Sequence, residues 1–327
     1  MAAIVTITLN PALDKSLSIP KLVADKKLKC SAAVCEPGGG GINVARAIKK
    51  LGGNALAVYL SGGDTGKKIT RLLAEESVES MPVNISESTR ENLVIADLSD
   101  GKQYLFDMPG PAVSEQEWQQ CLDAVEQIPG IEYIIASGSL PPGVPTDIFA
   151  RIALIARRKN AKLVVDTSGP ALRQALQAGV YLVKPNLKEL ASLVGKEDLD
   201  KQSAAEVARE IIGYGNCEVV IVSMGAEGAM LVTEELVVNI KPPALKIKST
   251  VGAGDSLLAG VVLSLAAGKN LPTAVEYGVA CGAAATINPG TELCTKTNAD
   301  HIYGLIHGKG KKLAPSVDEH SELLKAG

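Results

Sequence analysis

The sequence predicts an α/β protein: a doubly wound, mostly parallel sheet with helices on both faces, plus a small β-sheet lid. Three observations predict it. Short β-branched runs recur from end to end: IVTITL (4–9), ALAVYL (55–60), YIIAS (133–137), KLVVD (162–166), VYLVK (180–184) and VVIVS (219–223). Runs this apolar suit strands buried on both faces of a parallel sheet. Longer helical patterns separate them, as crossover connections require. Two further segments, 15–35 and 91–108, alternate in polarity like exposed strands, the second around a turn at Ser99-Asp100-Gly101.

In chain order, the first strand ends at the polar residues Asn10 and Asp14, and the first lid segment follows. EPGGGGINVARAIKKLGG (36–53) then runs from four consecutive glycines into a helix with Ile42, Ala45, Ile48 and Lys49 along one side. Residues without Cβ allow a very close approach to the main chain, and Asn43 has the amide to hydrogen-bond a polyol. Ser137, Gly138 and Ser139 follow YIIA, Asp166 ends KLVVD, Lys184, Asn186 and Glu189 follow VYLV, and Ser223 and Gly225 follow VVIV. Open α/β sheets bind ligands outside the carboxyl ends of their strands, so polar residues recurring there predict one shared cleft. After Gly254 the pattern is helical, with Ala-rich runs at 256–268 and 273–287. Residues 1–308 read as one domain whose lid comes from about 15–35 and 88–108. The tail at 309–327 has little to bury and is expected to be poorly ordered.

Composition narrows the function. The 327 residues carry a net charge of −3 and only 3% aromatic residues, which provides neither a basic field nor a stacking platform for nucleic acid. No apolar run approaches the roughly 20 residues of a membrane span. The start, MAAIVTITLN, lacks the charged and apolar blocks of a signal peptide, so a cytoplasmic location is expected. Six cysteines without a C-x-x-C pair suggest reduced, mostly buried thiols. His301, His307 and His320 all lie near the C-terminus, so chemistry elsewhere must use carboxylates, lysines and backbone. No complete G-x-x-x-x-G-K-[ST] or G-x-G-x-x-G is present; SGGDTGKK (61–68) lacks the P-loop's first glycine and its hydroxyl.

STVGAGDSLLAG (249–260) combines a glycine-rich helix start, suited to an anion, with a carboxylate of its own, Asp255. The two serve different atoms if a phosphoryl group moves to a hydroxyl. The N–H groups of Gly252, Ala253 and Gly254 hold the developing charge, and Asp255 accepts the hydroxyl proton. The plain alternative is an acid in the first turn of a helix, worth about 0.3–1 kcal/mol.

Together, GGGGINVARAIKKLGG (38–53), KPNLKEL (184–190) and STVGAGDSLLAG resemble the signatures of the ribokinase-like, or PfkB, family of carbohydrate kinases. The resemblance runs in order from about residue 4 to 305. TLNPALD (8–14) is typical of the branch acting on phosphorylated sugars. EPGGGGINVARAI, YLFDMPGPAVSEQEW, SGSLPPGV and NPGTELC are similar to its ATP-dependent members that use fructose 6-phosphate. Members acting on fructose 1-phosphate or tagatose 6-phosphate, the nearest competitors, usually carry Lys where Gly40 stands.

The resemblance implies a ribokinase-like fold and transfer of the ATP γ-phosphoryl group to the C1 hydroxyl of fructose 6-phosphate. It makes Asp255 the base and Gly252, Ala253 and Gly254 the anion hole, with Lys27 reaching the phosphates. Asp14, Gly39 and Asn43 would bind sugar hydroxyls, and Lys29, Arg90 and Ser139 the sugar phosphate. Asn186, Lys188, Ser223, Gly225 and Gly228 would lie along the nucleotide. Glu189 and Asn186 would place Mg²⁺ through water, and Val251, Ala285, Asn288 and Gly290 a monovalent cation such as K⁺. It also implies a homodimer formed through the lid, with a tetramer as the higher assembly left open. Two positions depart from the pattern: Lys29 and Glu292 stand where Arg is usual. A sugar-phosphate-sensing protein without catalysis is the rival of another class.

Overall fold

The six apolar runs become six of the nine strands of one sheet in the computed structural model, which describes residues 3–308. The tail at 309–327 lies outside the described residues. The six are β1 (Ile4–Thr8), β4 (Leu56–Ser61), β8 (Tyr133–Ser137), β9 (Lys162–Asp166), β10 (Val180–Val183) and β11 (Cys217–Ser223). β5 (Glu79–Asn84), β12 (Ala229–Val232) and β13 (Val237–Ile240) complete the order β13-β12-β11-β10-β9-β8-β1-β4-β5. β11, β12 and β13 pair antiparallel at one edge, and the other pairings are parallel.

Alternate residues of each strand enter opposite cores. Val5, Ile7, Val58, Ile134 and Val165 pack with Trp118 of α3 (Glu115–Gln127), Phe149 of α4 (Ile148–Arg158), Leu172 of α5 (Gly169–Ala178), Leu190 of α6 (Leu187–Leu193) and Val207 of α7 (Lys201–Gly213). Ile4, Ala57, Tyr59, Ile135 and Ile221 pack on the other side with α1 (Gly40–Lys50), α2 (Gly63–Glu75), α8 (Ala253–Ala266), α9 (Leu271–Thr286) and α10 (Lys296–Ile306). That two-sided burial is why the strands read as continuous apolar runs. α1 differs from the one-sided helix expected: Val44, Arg46 and Ala47 are buried as well as Ile42, Ala45 and Ile48. It is packed between the sheet and α8, so little of its surface apart from the partly exposed Asn43, Lys49 and Lys50 meets solvent.

The chain winds β1-β4-β5 in one direction, then returns to lay β8 on the other side of β1 and winds outward again. The sheet therefore has its switch point between β1 and β8, where such folds open a crevice at the strand carboxyl ends.

Over this end lies a second sheet of four strands, in the order β3-β2-β6-β7. It consists of β2 (Ala12–Ile19), β3 (Val34–Gly38), β6 (Arg90–Asp97) and β7 (Gln103–Phe106). The hairpin at 99–101 forms as expected, with Gly101 in the left-handed region at φ 72°. The first lid segment differs from expectation. Its strands begin at Ala12 and end at Gly38, and residues 20–33 between them form no strand. Four of the six cysteines are buried, and none forms a disulfide.

Candidate active site

Gly252 begins α8 in the left-handed conformation, φ 73°, which a residue with Cβ rarely adopts. The turn leaves the first amides of the helix without the partners that an interior turn would supply. Among the described residues the Gly252 and Gly254 amides make no hydrogen bond, and the Ala253 amide has one long contact, 3.4 Å, to the Thr250 carbonyl. A cradle for an anion is thus available, aimed along the helix axis.

Asp255 stands in the same first turn and accepts a 2.9 Å hydrogen bond from Nδ2 of Asn43. That contact joins the two glycine motifs across 212 residues of chain. Burial pushes the Asp255 carboxyl up to about 6, aided by the charges of Asp166 and Asp14 and opposed by Asn43 and Lys184. An acid tuned this way is mostly ionised at neutral pH yet close enough to it to take a proton.

Lys184 directly follows β10 and is 7% exposed, with Nζ 3.2 Å from Oδ1 of Asp166 at the end of β9. Burial works to discharge it. The carboxylates of Asp166 and Asp255 outweigh that effect and raise its pKa. A Cβ at position 254 would lie 3.3 Å from Nζ, so glycine there lets the ammonium approach the helix start. The adjacent strand ends explain this grouping: β8, β9, β10 and β11 are neighbours, and each delivers one polar residue to the same edge.

Asn186 and Glu189 form a capping box at the start of α6. Oδ1 of Asn186 accepts from the Glu189 amide and Oε2 of Glu189 from the Asn186 amide, each at 2.9 Å. The cap uses one oxygen of each side chain and leaves the other Glu189 oxygen without a hydrogen bond among the described residues. Among the described residues no cluster of three or more His, Cys, Asp or Glu could hold a metal alone. This donor set fits Mg²⁺, which commonly keeps its waters and takes one or two carboxylates beside substrate phosphates.

A cavity of about 620 Å³ begins at Asn186, Ser223, Gly225 and Gly228 and extends to Ala253 and Gly254. Leu245, Ile247 and Val279 supply apolar walls. A flat apolar group lying there places its polar end at the anion cradle. Lys188 is exposed beside this cavity and does not line it. A larger groove, about 1270 Å³, opens near Lys162, Val180 and Cys217, where β9, β10 and β11 begin, at the opposite end of the sheet.

At the lid side, Asp14 of β2 is half-buried and accepts from Nδ2 of Asn92 at 3.0 Å. Burial raises its pKa against the pull of Asn92, Arg90 and Arg46. Arg90 is mostly buried, pairs with Asp107, and donates to the carbonyls of Met108 at 2.7 Å and Asn10 at 3.3 Å. Ser139 is exposed and accepts from Nδ2 of Asn10 at 3.0 Å.

The glycine run has a role that its sequence reading did not anticipate. A Cβ on Gly38 would strike the Asp14 carboxylate and one on Gly40 the Ser137 hydroxyl, while one on Gly41 would come 2.6 Å from the Ile7 carbonyl. These glycines seat α1 against β1 and β8. Gly39, at φ 106°, lies against Thr8 at the switch point.

Lys27 and Lys29 are exposed on the 20–33 segment and make no hydrogen bond or ion pair among the described residues. The carbonyls of Gly290 and Ala285 accept from Oγ of Ser249 at 2.6 Å and the Asn288 amide at 3.1 Å, and Nδ2 of Asn288 donates to the Leu293 carbonyl at 2.9 Å. Val251, whose amide donates to Oγ of Ser249 at 3.3 Å, completes that loop. Glu292 is exposed and forms no ion pair among the described residues.

Sequence reasoning left three groups without a role. Asp166 and Lys184 were recognisable only as strand-end residues. Asn92 carries no motif. Arg46, 2% exposed, bonds Glu76, Glu36 and the Pro37 carbonyl, and Glu36 in turn accepts from Thr291; a charge inside an apolar helix face was its signal.

The family model for pfkB family carbohydrate kinases matches residues 3–298. The chain is 42% identical over 307 residues to ATP-dependent 6-phosphofructokinase isozyme 2 of Escherichia coli (strain K12), covering 94% of this chain and 99% of that protein. Its fold is similar to the crystal structure of phosphofructokinase-2 from Escherichia coli in complex with potassium, with a TM-score of 0.90 at 42% identity over 94% of this chain and 100% of the other. The fructose-6-phosphate complex of the same enzyme gives 0.89 at 40% identity, over 94% and 100%. With its signature motifs brought together at the switch point of a ribokinase-like sheet, this chain belongs to the pfkB family of carbohydrate kinases.

Proposed function

We propose that this protein is an ATP-dependent 6-phosphofructokinase, transferring the γ-phosphoryl group of ATP to the C1 hydroxyl of fructose 6-phosphate to give fructose 1,6-bisphosphate and ADP. The observation that carries the reading is the pairing of a raised-pKa carboxylate, Asp255, with unpartnered amides at the start of its own helix. Identity of 42% to a 6-phosphofructokinase across almost the whole chain supports the acceptor.

In this reading residues 1–308 act as one kinase domain. The adenine end of ATP occupies the cavity between Ser223, Gly225 and Gly228 and the walls from Leu245 and Val279. Its γ-phosphoryl group lies at Gly252, Ala253 and Gly254, with Lys184, Lys188 and Lys27 as cations along the phosphates. Asp14, Gly39 and Asn43 hold the sugar hydroxyls, and Arg90, Ser139 and Lys29 its phosphate. Asp255 takes the C1 proton as that oxygen attacks phosphorus and the bond to the ADP oxygen breaks. The amides hold the charge on the transferring group. Mg²⁺, held on the phosphates by Glu189 and Asn186 through water, would neutralise charge there. A monovalent cation at the carbonyls of Val251, Ala285 and Gly290 and the side chain of Asn288 would steady the cradle from behind.

The lid would close the sugar side and exclude water, suppressing ATP hydrolysis. Val34, Leu105 and Phe106 of the lid strands and the adjacent Met108 are exposed apolar residues, which supports lid-to-lid pairing in a homodimer. A cytoplasmic location accords with the absence of any described helix long and apolar enough to cross a membrane.

A coupled ADP-release assay with fructose 6-phosphate, fructose 1-phosphate and tagatose 6-phosphate as acceptors tests the reading. Fructose 6-phosphate should give the highest kcat/KM. Preference for another acceptor reassigns the substrate, and sugar-phosphate binding without ADP release supports a sensor in place of an enzyme.

A further inference from the structure

Two buried polar atoms beside the switch point have no hydrogen-bond partner among the described residues: Oδ1 of Asn10 and Nε of Arg90. They belong to one constellation. Asn10, 7% exposed, leaves the end of β1 and contacts two of the groups assigned to the sugar phosphate, Ser139 and Arg90. Its Nδ2 donates to the Ser139 hydroxyl at 3.0 Å, and its main-chain carbonyl accepts from Nη2 of Arg90 at 3.3 Å.

Each contact has a directional consequence. A hydroxyl has one proton to donate. Because the Ser139 oxygen accepts from Asn10, its own proton remains for an outside acceptor, and none is present among the described residues. Arg90 is anchored through Nη1 to Met108 and Asp107 and through Nη2 to Asn10, which leaves the buried Nε–H unused. A buried donor without a partner is costly unless a ligand supplies the acceptor. An oxyanion does so with a charge-assisted bond.

We propose that Asn10 is the positioning residue for the phosphate of the acceptor sugar: its side chain aims the Ser139 hydroxyl, and its carbonyl holds the Arg90 guanidinium with Nε free. This assignment rests on the sugar-phosphate kinase reading and adds to it a residue that does not itself carry the phosphate's charge.

The test compares wild type, Asn10→Ala, Asn10→Asp, Ser139→Ala and the Asn10→Ala/Ser139→Ala double variant in steady-state kinetics with fructose 6-phosphate and ATP. Asn10→Ala should raise KM for fructose 6-phosphate roughly tenfold, the scale of one charge-assisted bond. KM for ATP and kcat should stay within about threefold. The double variant should be no worse than Ser139→Ala, because Asn10 acts through that hydroxyl. Asn10→Asp keeps the shape but replaces the donor with a negative oxygen, so its KM for the sugar phosphate should rise further. This variant carries the test where the alanine variant does not fold. KM values for ATP and sugar phosphate that rise together, or Asn10 and Ser139 effects that add, overturn the assignment. An active wild type with unchanged variants overturns it alone, whereas a wild type inactive on every sugar phosphate overturns the functional reading and this assignment together.

Discussion

Asp255→Asn should make the protein nearly inactive and, at the same time, more stable. The structure raises the Asp255 carboxyl from 3.8 to about 6, a change of roughly two units, and each unit corresponds to about 1.4 kcal/mol. The folded state favours the protonated form, so ionised Asp255 costs stability. That cost is fully present above about pH 6 and vanishes as the pH falls towards 3.8. The residue is only partly buried, and screening by nearby solvent brings the figure to about 2 kcal/mol. Asparagine keeps the shape and an oxygen for Asn43, and it has no charge to bury. Urea unfolding should therefore show the variant about 2 kcal/mol more stable than wild type near pH 8, with the advantage falling to about half near pH 5. Turnover of fructose 6-phosphate should drop by at least about 100-fold, on the scale of a lost general base. An advantage that is absent, or equal at both pH values, would refute the electrostatic reasoning. Near-normal turnover would refute the role as base.

Three further predictions concern the base's cationic neighbour, a second buried cation and the lid surface. Lys184→Met removes the cation that favours ionised Asp255, so the acid limb of the kcat/KM profile should move to higher pH; an unmoved limb would separate Lys184 from the base. Arg46→Met leaves Glu36 and Glu76 without their buried partner and should cost about 3–5 kcal/mol in denaturant unfolding. A loss below about 1 kcal/mol would show that the two carboxylates are solvated instead. Leu105→Asp places a charge on the exposed lid surface and should shift the protein to monomer in analytical ultracentrifugation with a raised KM for the sugar phosphate, whereas an unchanged mass would place the subunit contact elsewhere.

Much of this arrangement was legible because two periodicities and two glycine motifs are strong local signals. The six double-buried strands read directly from apolar runs, and Asp255 and Asn43 were marked by motifs, although the 2.9 Å bond between them was not. Three strands carried weaker signals. β5 contains Pro82 and has one buried residue, as suits a sheet edge. β12 and β13 are four residues each, too short for a period to show. The four glycines were legible as close approach, but sequence could not say to what; the answer for Gly38, Gly40 and Gly41 is protein, at Asp14, Ser137 and Ile7. The Lys184–Asp166 pair depends on β9 and β10 being neighbours, which topology decides and composition does not.

The central claim is that one helix start supplies both the amides for the migrating phosphoryl group and the acid for its acceptor. A crystal structure with MgADP, aluminium fluoride and fructose 6-phosphate tests it most directly. The account predicts fluorine atoms within hydrogen-bond distance of the Gly252, Ala253 and Gly254 amides, and the C1 hydroxyl against Asp255. Fluoride bound away from those amides, or a C1 hydroxyl that faces another residue, would contradict it.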